Sequence, residues 1–375
     1  MIHTFEISYS TVIESEVLAL MDAFGFPQQK VRKVIDFRPS KRKACVRQPI
    51  PRQYAGIGIK HAQMYREIDK QTGGAAYSFS LKLEPQVMLV HHRTIDLYRT
   101  TNENNELLRH AFHAAMNNFI DDTSIPNITE LDFWNCKRID YTHNLVFGSS
   151  DDKQLFLDLS KKTSKYTRQR EKRSIKGVDK YDQSTAEANR SSKVTFYDKQ
   201  REIQDKREGM PEDEKERLMR AAENIVRYEV QCKYGKVMSI KKSFSFPSRR
   251  IMYYLDEGVA HKVLLDTYKE TVGTGDFYYF YRAKKIIEAS AYSTRKRHTL
   301  FDWMRFVAQS RSLYRARQLF LARGHRIKKT KIVVQGTAAT FTQHIKDVEA
   351  IGLNPIMIPK DWGVKEFKNP IAQLR

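Results

Sequence analysis

Four stretches of the chain alternate apolar and polar residues with a period of two, which predicts strands with one face for a core and one for chemistry. In residues 75–84, Tyr77, Phe79, Leu81 and Leu83 oppose Ser78, Ser80, Lys82 and Glu84, between Gly73-Gly74 and Pro85. In residues 131–147, Ile139, Tyr141, His143 and Leu145 oppose Arg138, Asp140, Thr142 and Asn144. Residues 194–202 set Val194 and Phe196 against Tyr197, Lys199 and Arg201. Residues 225–231 set Val226, Tyr228 and Val230 against Arg227, Glu229 and Gln231. Between the last two, Met210-Pro211-Glu212-Asp213-Glu214 predicts a helix start, with proline in the first turn and carboxylates at the positive end of the dipole.

Elsewhere the spacing is helical. Ser10-Thr11 precedes Val12, Ile13, Val17, Leu18, Leu20 and Met21 and predicts a capped helix ending at Gly25. Leu107, Leu108, Ala111, Phe112, Met116 and Phe119 predict another over 102–121. There His110 and His113 lie one turn apart, but no third ligand stands nearby, so helix-surface histidines are the reading. Beyond about residue 240 the pattern predicts helices over 261–271, 276–290 and, closed by Gly324, 299–323; then a strand over 331–335, a helix over 339–351 and a short strand near Ile356. The aromatic run 277–281 reads as core. Residues 30–52, with three prolines and many bases, read as extended basic surface, either a DNA-contacting loop or a solvated charge run. Residues 161–207 are equally basic, with Arg168, Arg170, Lys172 and Arg173 interleaved with Ser164, Tyr166, Thr167 and Tyr181, a mixture suited to phosphate contact and base stacking.

Charge sharpens this picture. The 375 residues are 41% hydrophobic, as globular chains are, yet carry a net charge of +22 and a pI of 9.7. Such an excess repels itself in the compact state and is ordinarily used to attract polyanions, nucleic acid first among them. No run of apolar residues is long enough to span a membrane. No signal peptide pattern opens the chain, and Cys45, Cys136 and Cys232 are too scattered for a disulfide framework or a zinc ribbon, so a reducing cytoplasm is expected.

If the four amphipathic strands share a sheet, their polar faces gather Glu84, Asp140 and Glu229 with Lys82, Arg138, Lys199, Arg227 and the phenol of Tyr197. Carboxylates suit Mg²⁺ or Mn²⁺, which would polarise a phosphodiester. Tyrosine suits covalent attack on DNA, although with a free pKa of about 10 it needs a cation to ionise, a role open to Lys199. The bland alternative is a set of ion pairs, Arg138-Asp140 and Arg227-Glu229, on a solvated face.

The succession Arg138-Ile139-Asp140, Tyr197-Asp198-Lys199 and Val226-Arg227-Tyr228-Glu229, preceded by Ser80-Leu81-Lys82-Leu83-Glu84-Pro85, resembles the filamentous-phage gene II and plasmid rolling-circle replication initiator family. The resemblance covers residues 77–234. It implies a nicking endonuclease that cuts one strand at a replication origin, becomes joined through Tyr197 to the 5′ phosphate, and later religates the displaced strand. It also implies Asp140 and Glu229, with Glu84 as a third ligand, as holders of Mg²⁺ or Mn²⁺. Lys199 would steady the phosphate or phenolate. Arg138, Arg227, Lys82, Arg168, Arg170, Lys172 and Arg173 would hold DNA phosphates. A His-apolar-His pair, common among nicking enzymes, is missing; His91-His92 are adjacent and would face opposite ways in a strand.

The expected fold is α+β: an antiparallel sheet backed by helices in a nickase-like core over residues 1–240, then a mostly helical basic part over 241–375. Origin DNA is the expected partner, with a host helicase or polymerase besides. Two other functions fit the charge, a tyrosine recombinase or topoisomerase and a non-enzymatic DNA-binding protein or repressor.

Overall fold

A computed structural model describes residues 1–11, 13–36, 43–50, 56–68, 74–120, 125, 127–163, 184–205, 210–322, 325–326 and 333–374. The main strands are β1 (Ile2–Thr11), β2 (Lys43–Pro49), β3 (Ile59–Ile68), β4 (Ala75–Leu83), β5 (Asn135–Val146), β6 (Ser184–Ala188), β7 (Ser192–Asp198) and β8 (Ile225–Cys232). Helices α1 (Glu14–Ala23), α2 (Gln28–Ile35), α3 (Pro85–Val90), α4 (Asn102–Asn117), α5 (Ser150–Thr163), α6 (Lys199–Asp205), α7 (Glu212–Ala221), α8 (Tyr234–Ser243) and α9 (Glu257–Thr271) accompany them. The C-terminal part holds β9 (Phe277–Tyr278), α10 (Phe280–Ala289), α11 (Thr294–Ser310), α12 (Leu313–Leu321), β10 (His325–Arg326), β11 (Val333–Val334), α13 (Ala338–Glu349) and β12 (Glu366–Phe367). The fold is α+β, an antiparallel sheet backed by helices, as the alternation predicts. Two compact units interleave along the chain. One comprises 1–143, 190–193 and 229–262, and the other 144–189, 194–228 and 263–375.

In the first unit the strand order is β2-β3-β4-β1-β5, then the end of β8. All the registers among β1 to β5 are antiparallel. Phe5, Ile7, Met64, Phe79, Leu81, Ile139 and Tyr141 fill one face and are buried. Trp134, fully buried, packs edge-on against Phe112 and tilted against Phe79, and its indole donates to Ile128 O at 2.9 Å. In the second unit the order is β8-β7-β6. Its core stacks Phe196 on Tyr228 at 4.7 Å, with Phe156 and Tyr268 edge-on to Phe196.

Several local expectations are corrected. The strand expected over 194–202 stops at Asp198, whose carboxylate accepts the backbone N–H of Arg201 at 3.1 Å and so caps α6. Lys199 therefore opens a helix instead of following Tyr197 along a strand face. Glu84 lies outside β4, at the N-terminal boundary of α3. Ser10-Thr11 ends β1, and α1 begins at Glu14 without a side-chain cap. Residues 28–35 are helical and 43–49 a strand, not extended surface, because Val34 and Val46 each find a buried place. The expected helix over 276–290 is preceded by β9, and the one over 299–323 is two helices broken at Arg311-Ser312. In place of the short strand expected near Ile356, Leu353 and Ile358 make isolated parallel bridges, to Asp276 and Tyr279 respectively.

Candidate functional site

The polar face of the first unit follows from register. On β1, Glu6 lies between Lys82 of β4 and Arg138 of β5, and Thr4 beside Asp140. A bulge between Glu6 and Ile7 leaves Lys137 as the extra residue of β5. Arg138 grips Asp140 with two parallel bonds, Nε to Oδ1 at 2.9 Å and Nη2 to Oδ2 at 2.6 Å, and reaches Glu6 Oε1 with Nη1 at 3.1 Å. The Thr4 hydroxyl also donates to Asp140 Oδ2. Asp140 is only 1% exposed, and burial pushes its carboxyl up, with nearby Glu229 adding to the shift and Arg138 opposing it. His3 Nδ1 stands 3.3 Å from Glu229 Oε2.

Bases crowd the same face. His61 is buried, and burial followed by Arg47, Lys82, Lys137 and Arg138 lowers its pKa to about 3. Arg47 Nη2 donates to its Nδ1 at 2.8 Å, which fixes the neutral ring with its proton on Nε2. Burial, then Arg138, lowers the Lys82 ammonium as well. Lys137 Nζ lies 3.6 Å from the centre of the Tyr65 ring and 3.4 Å from Ser80 Oγ.

In the second unit Tyr197 is half-buried on the face of β7 opposite Val194, Phe196 and Asp198. Asp198 turns inward to a buried ion pair with Lys153 of α5, Nζ to Oδ2 at 2.8 Å. Lys199, itself buried, pairs with Glu202 at 2.6 Å. Arg227 is 1% exposed, and its Nε donates to Asn144 Oδ1 at 3.0 Å.

Of the residues expected to act, Lys82, Arg138, Asp140 and Glu229 therefore gather on one face. Glu84 is engaged by Lys60 at 2.7 Å. Arg168, Arg170, Lys172 and Arg173 lie outside the described residues, as do Tyr166 and Tyr181. Among the described residues no group of three His, Cys, Asp or Glu side chains is placed to hold a metal ion. The acids are instead committed to bases, so the donor set as arranged does not fit a resident metal. The sequence reading passed over Thr4, Glu6, His61, Lys137 and the Lys153–Asp198 pair. The alternation of β1 would have exposed Thr4 and Glu6, whereas the others depend on pairing between distant segments.

Fold and site together define an α+β protein whose antiparallel sheet sets mixed acids and bases opposite a packed core. Residues 98–248 match the family described as the N-terminal domain of the replication-associated gene II protein. The match bears out the resemblance to filamentous-phage gene II initiators and supports a role in phage replication initiation. It takes in Arg138, Asp140, Tyr197, Lys199, Arg227 and Glu229, and leaves Lys82 and Glu84 outside. Comparison with curated proteins and with solved structures returns no match. Among the described residues no helix is long and apolar enough to cross a membrane.

Proposed function

We propose that the protein is a rolling-circle initiator that nicks and rejoins one strand at a phage or plasmid origin through a 5′-phosphotyrosine intermediate. The observation that carries this is the family match, which spans both Tyr197 and the acid–base face of β5. In the cleavage step the Tyr197 phenolate oxygen bonds to phosphorus as the bond from phosphorus to the 3′ oxygen breaks. The phenol proton passes to a base, and the 3′ oxygen leaves protonated as the hydroxyl a host polymerase extends. Religation is the reverse attack by a 3′ hydroxyl, which frees the phenol. Arg138, Arg227 and Lys82 are proposed phosphate contacts, each a charge-assisted donor, and Lys199 a helper at the phosphate. Mg²⁺ or Mn²⁺ enters through the resemblance alone; a bound ion would neutralise charge on the phosphate, and the carboxylates as paired do not form its site. The action belongs in the bacterial cytoplasm, with a host helicase opening the duplex.

The test incubates labelled single-stranded DNA from a candidate origin with the parent and with Tyr197→Phe, with Mg²⁺, Mn²⁺ or EDTA, on denaturing gels. A covalent product in the parent that Tyr197→Phe lacks is expected. An adduct that survives in Tyr197→Phe moves the nucleophile elsewhere, and one indifferent to EDTA favours recombinase-like chemistry. Tight binding with no adduct on any DNA leaves the repressor function.

A further inference from the structure

Outside the family-matched segment, the second unit holds two helices joined by two residues. α11 ends at Ser310; Arg311 takes the left-handed conformation at φ 65, and Ser312 caps α12 by accepting the N–H of Arg315 at 3.2 Å. Leu313, Ala316 and Phe320 bury one side of α12, with the Phe320 ring 5.3 Å from Phe341 of α13 and 6.3 Å from Phe306 of α11. The antiparallel β10–β11 ribbon follows, and its exit is pinned to the last turn of α12 by Gly336 N–H on Phe320 O at 3.1 Å. A side chain at Gly336 would stand 2.7 Å from the Phe320 ring, so glycine permits this approach.

The other side of α12 faces solvent. Arg311, Arg315 and Gln318 are exposed, Leu321 is 42% exposed, and Tyr314 bonds to Gln318 at 2.6 Å. These positions recur at helical spacing along one face, and residues 311–322 contain no acid. Cations gather at the start of the helix: Arg311 is near enough to Lys162 of α5 to help lower its ammonium, after burial and against Asp158 and Asp361. Lys161, beside it, pairs with Asp158 at 2.8 Å. An arginine and a glutamine one turn apart are the side chains that pair bidentately with guanine and adenine edges in a major groove, and an exposed leucine suits a thymine methyl.

We infer that α11, the Arg311-Ser312 turn and α12 form a helix-turn-helix that reads duplex DNA, with α12 as the recognition helix. Arg315 and Gln318 contact base edges, while Arg311, Lys161 and Lys162 hold the flanking phosphates. The inference rests on the proposed reading only in taking DNA as the partner; it adds a sequence-reading surface distinct from the tyrosine chemistry.

The test selects the full chain against a pool of duplexes with a random core of about 16 base pairs, longer than one helical turn, then repeats the selection with Arg315→Ala and Gln318→Ala. Both side chains are exposed, and circular dichroism melts verify that each variant folds. The parent enriches a motif, and each variant loses about tenfold discrimination at one base pair while keeping the others. Arg311→Ala weakens every sequence alike and lowers the salt slope by about one. A pool that enriches no motif, or variants that return the parent motif unchanged, overturns the inference. Binding selection requires no cleavage, so failure of adduct formation in the parent would sink the nickase reading and leave this result legible. Equal displacement of bound duplex from parent and both variants by single-stranded competitor would reassign the face to non-specific binding and also overturn it.

Discussion

Tyr197 sits beside an ion pair that its own strand buries, and breaking that pair has a calculable cost. Asp198 and Lys153 are 7% and 5% exposed, and the 2.8 Å contact takes one oxygen of the carboxylate while the other caps α6. Asp198→Asn keeps an efficient capping side chain but leaves the Lys153 ammonium buried against a neutral amide. Loss of one partner from a buried pair costs about 3–5 kcal/mol. Asp198→Ala removes the cap as well, adding about 1 kcal/mol. In Lys153→Met with Asp198→Asn neither charge remains, and an uncharged replacement of a buried pair is near neutral, so the double variant should lose only about 1–2 kcal/mol. Urea unfolding followed by circular dichroism, with an unchanged slope as the check on compactness, measures each of these proteins and Lys153→Met alone. A double variant that loses the sum of the two single losses would show that the charges do not couple and refute the reasoning.

Two further outcomes follow from the fold. The folded pKa of His61, about 3, lies below the unfolded value of about 6.5, so the unfolded chain binds the extra proton first; the full stability is present above pH 6.5 and is lost as pH falls. By pH 5 this amounts to about 2 kcal/mol, and His61→Gln should flatten the fall in urea midpoint between pH 7 and pH 5; an unaltered slope would exonerate the imidazole. At Gly275 a Cβ would overlap the carbonyl group of Leu353, where Asn354 N–H bonds Asp276 O at 2.7 Å, so Gly275→Ala should cost about 3 kcal/mol. Gly148→Ala, whose nearest neighbour is 3.9 Å away, should melt like the parent; equal melting of the two variants would contradict the packing argument.

Period-two alternation was sufficient for β4, β5 and β8, because each has a row of large apolar residues that can be satisfied only by a core. It failed at Lys199 because a polar run has no face to bury and fits strand and helix alike; the deciding group is the Asp198 carboxylate, which a sequence read by hydrophobicity treats as one more polar position. The Arg311-Ser312 break was missed for a related reason. Ser312 is a readable cap, but the left-handed turn before it falls on arginine, not glycine. The pairings of Arg138 with Glu6 and of His61 with Arg47 are set by strand neighbours 132 and 14 residues apart, and no local pattern carries them.

Those pairings bear on how the face would receive DNA under the proposed function. Arg138 has a planar fork already filled by Asp140, and Asp140, only 1% exposed, cannot be left alone cheaply. A phosphate oxygen that binds Arg138 must therefore share the guanidinium or displace Asp140 from it. Sharing uses the edge now turned to Glu6, the more exposed of the two acids at 19%, and keeps the buried carboxylate compensated. Displacement would strand Asp140 where burial already favours its protonated form, and so would draw a proton onto it. The two routes differ in proton uptake: sharing takes up none at Asp140, while displacement makes phosphate binding tighten as pH falls. Calorimetry of a single-stranded oligonucleotide in buffers of different ionisation enthalpy separates them, and the bidentate geometry at Asp140 favours sharing, with no net uptake at that carboxylate.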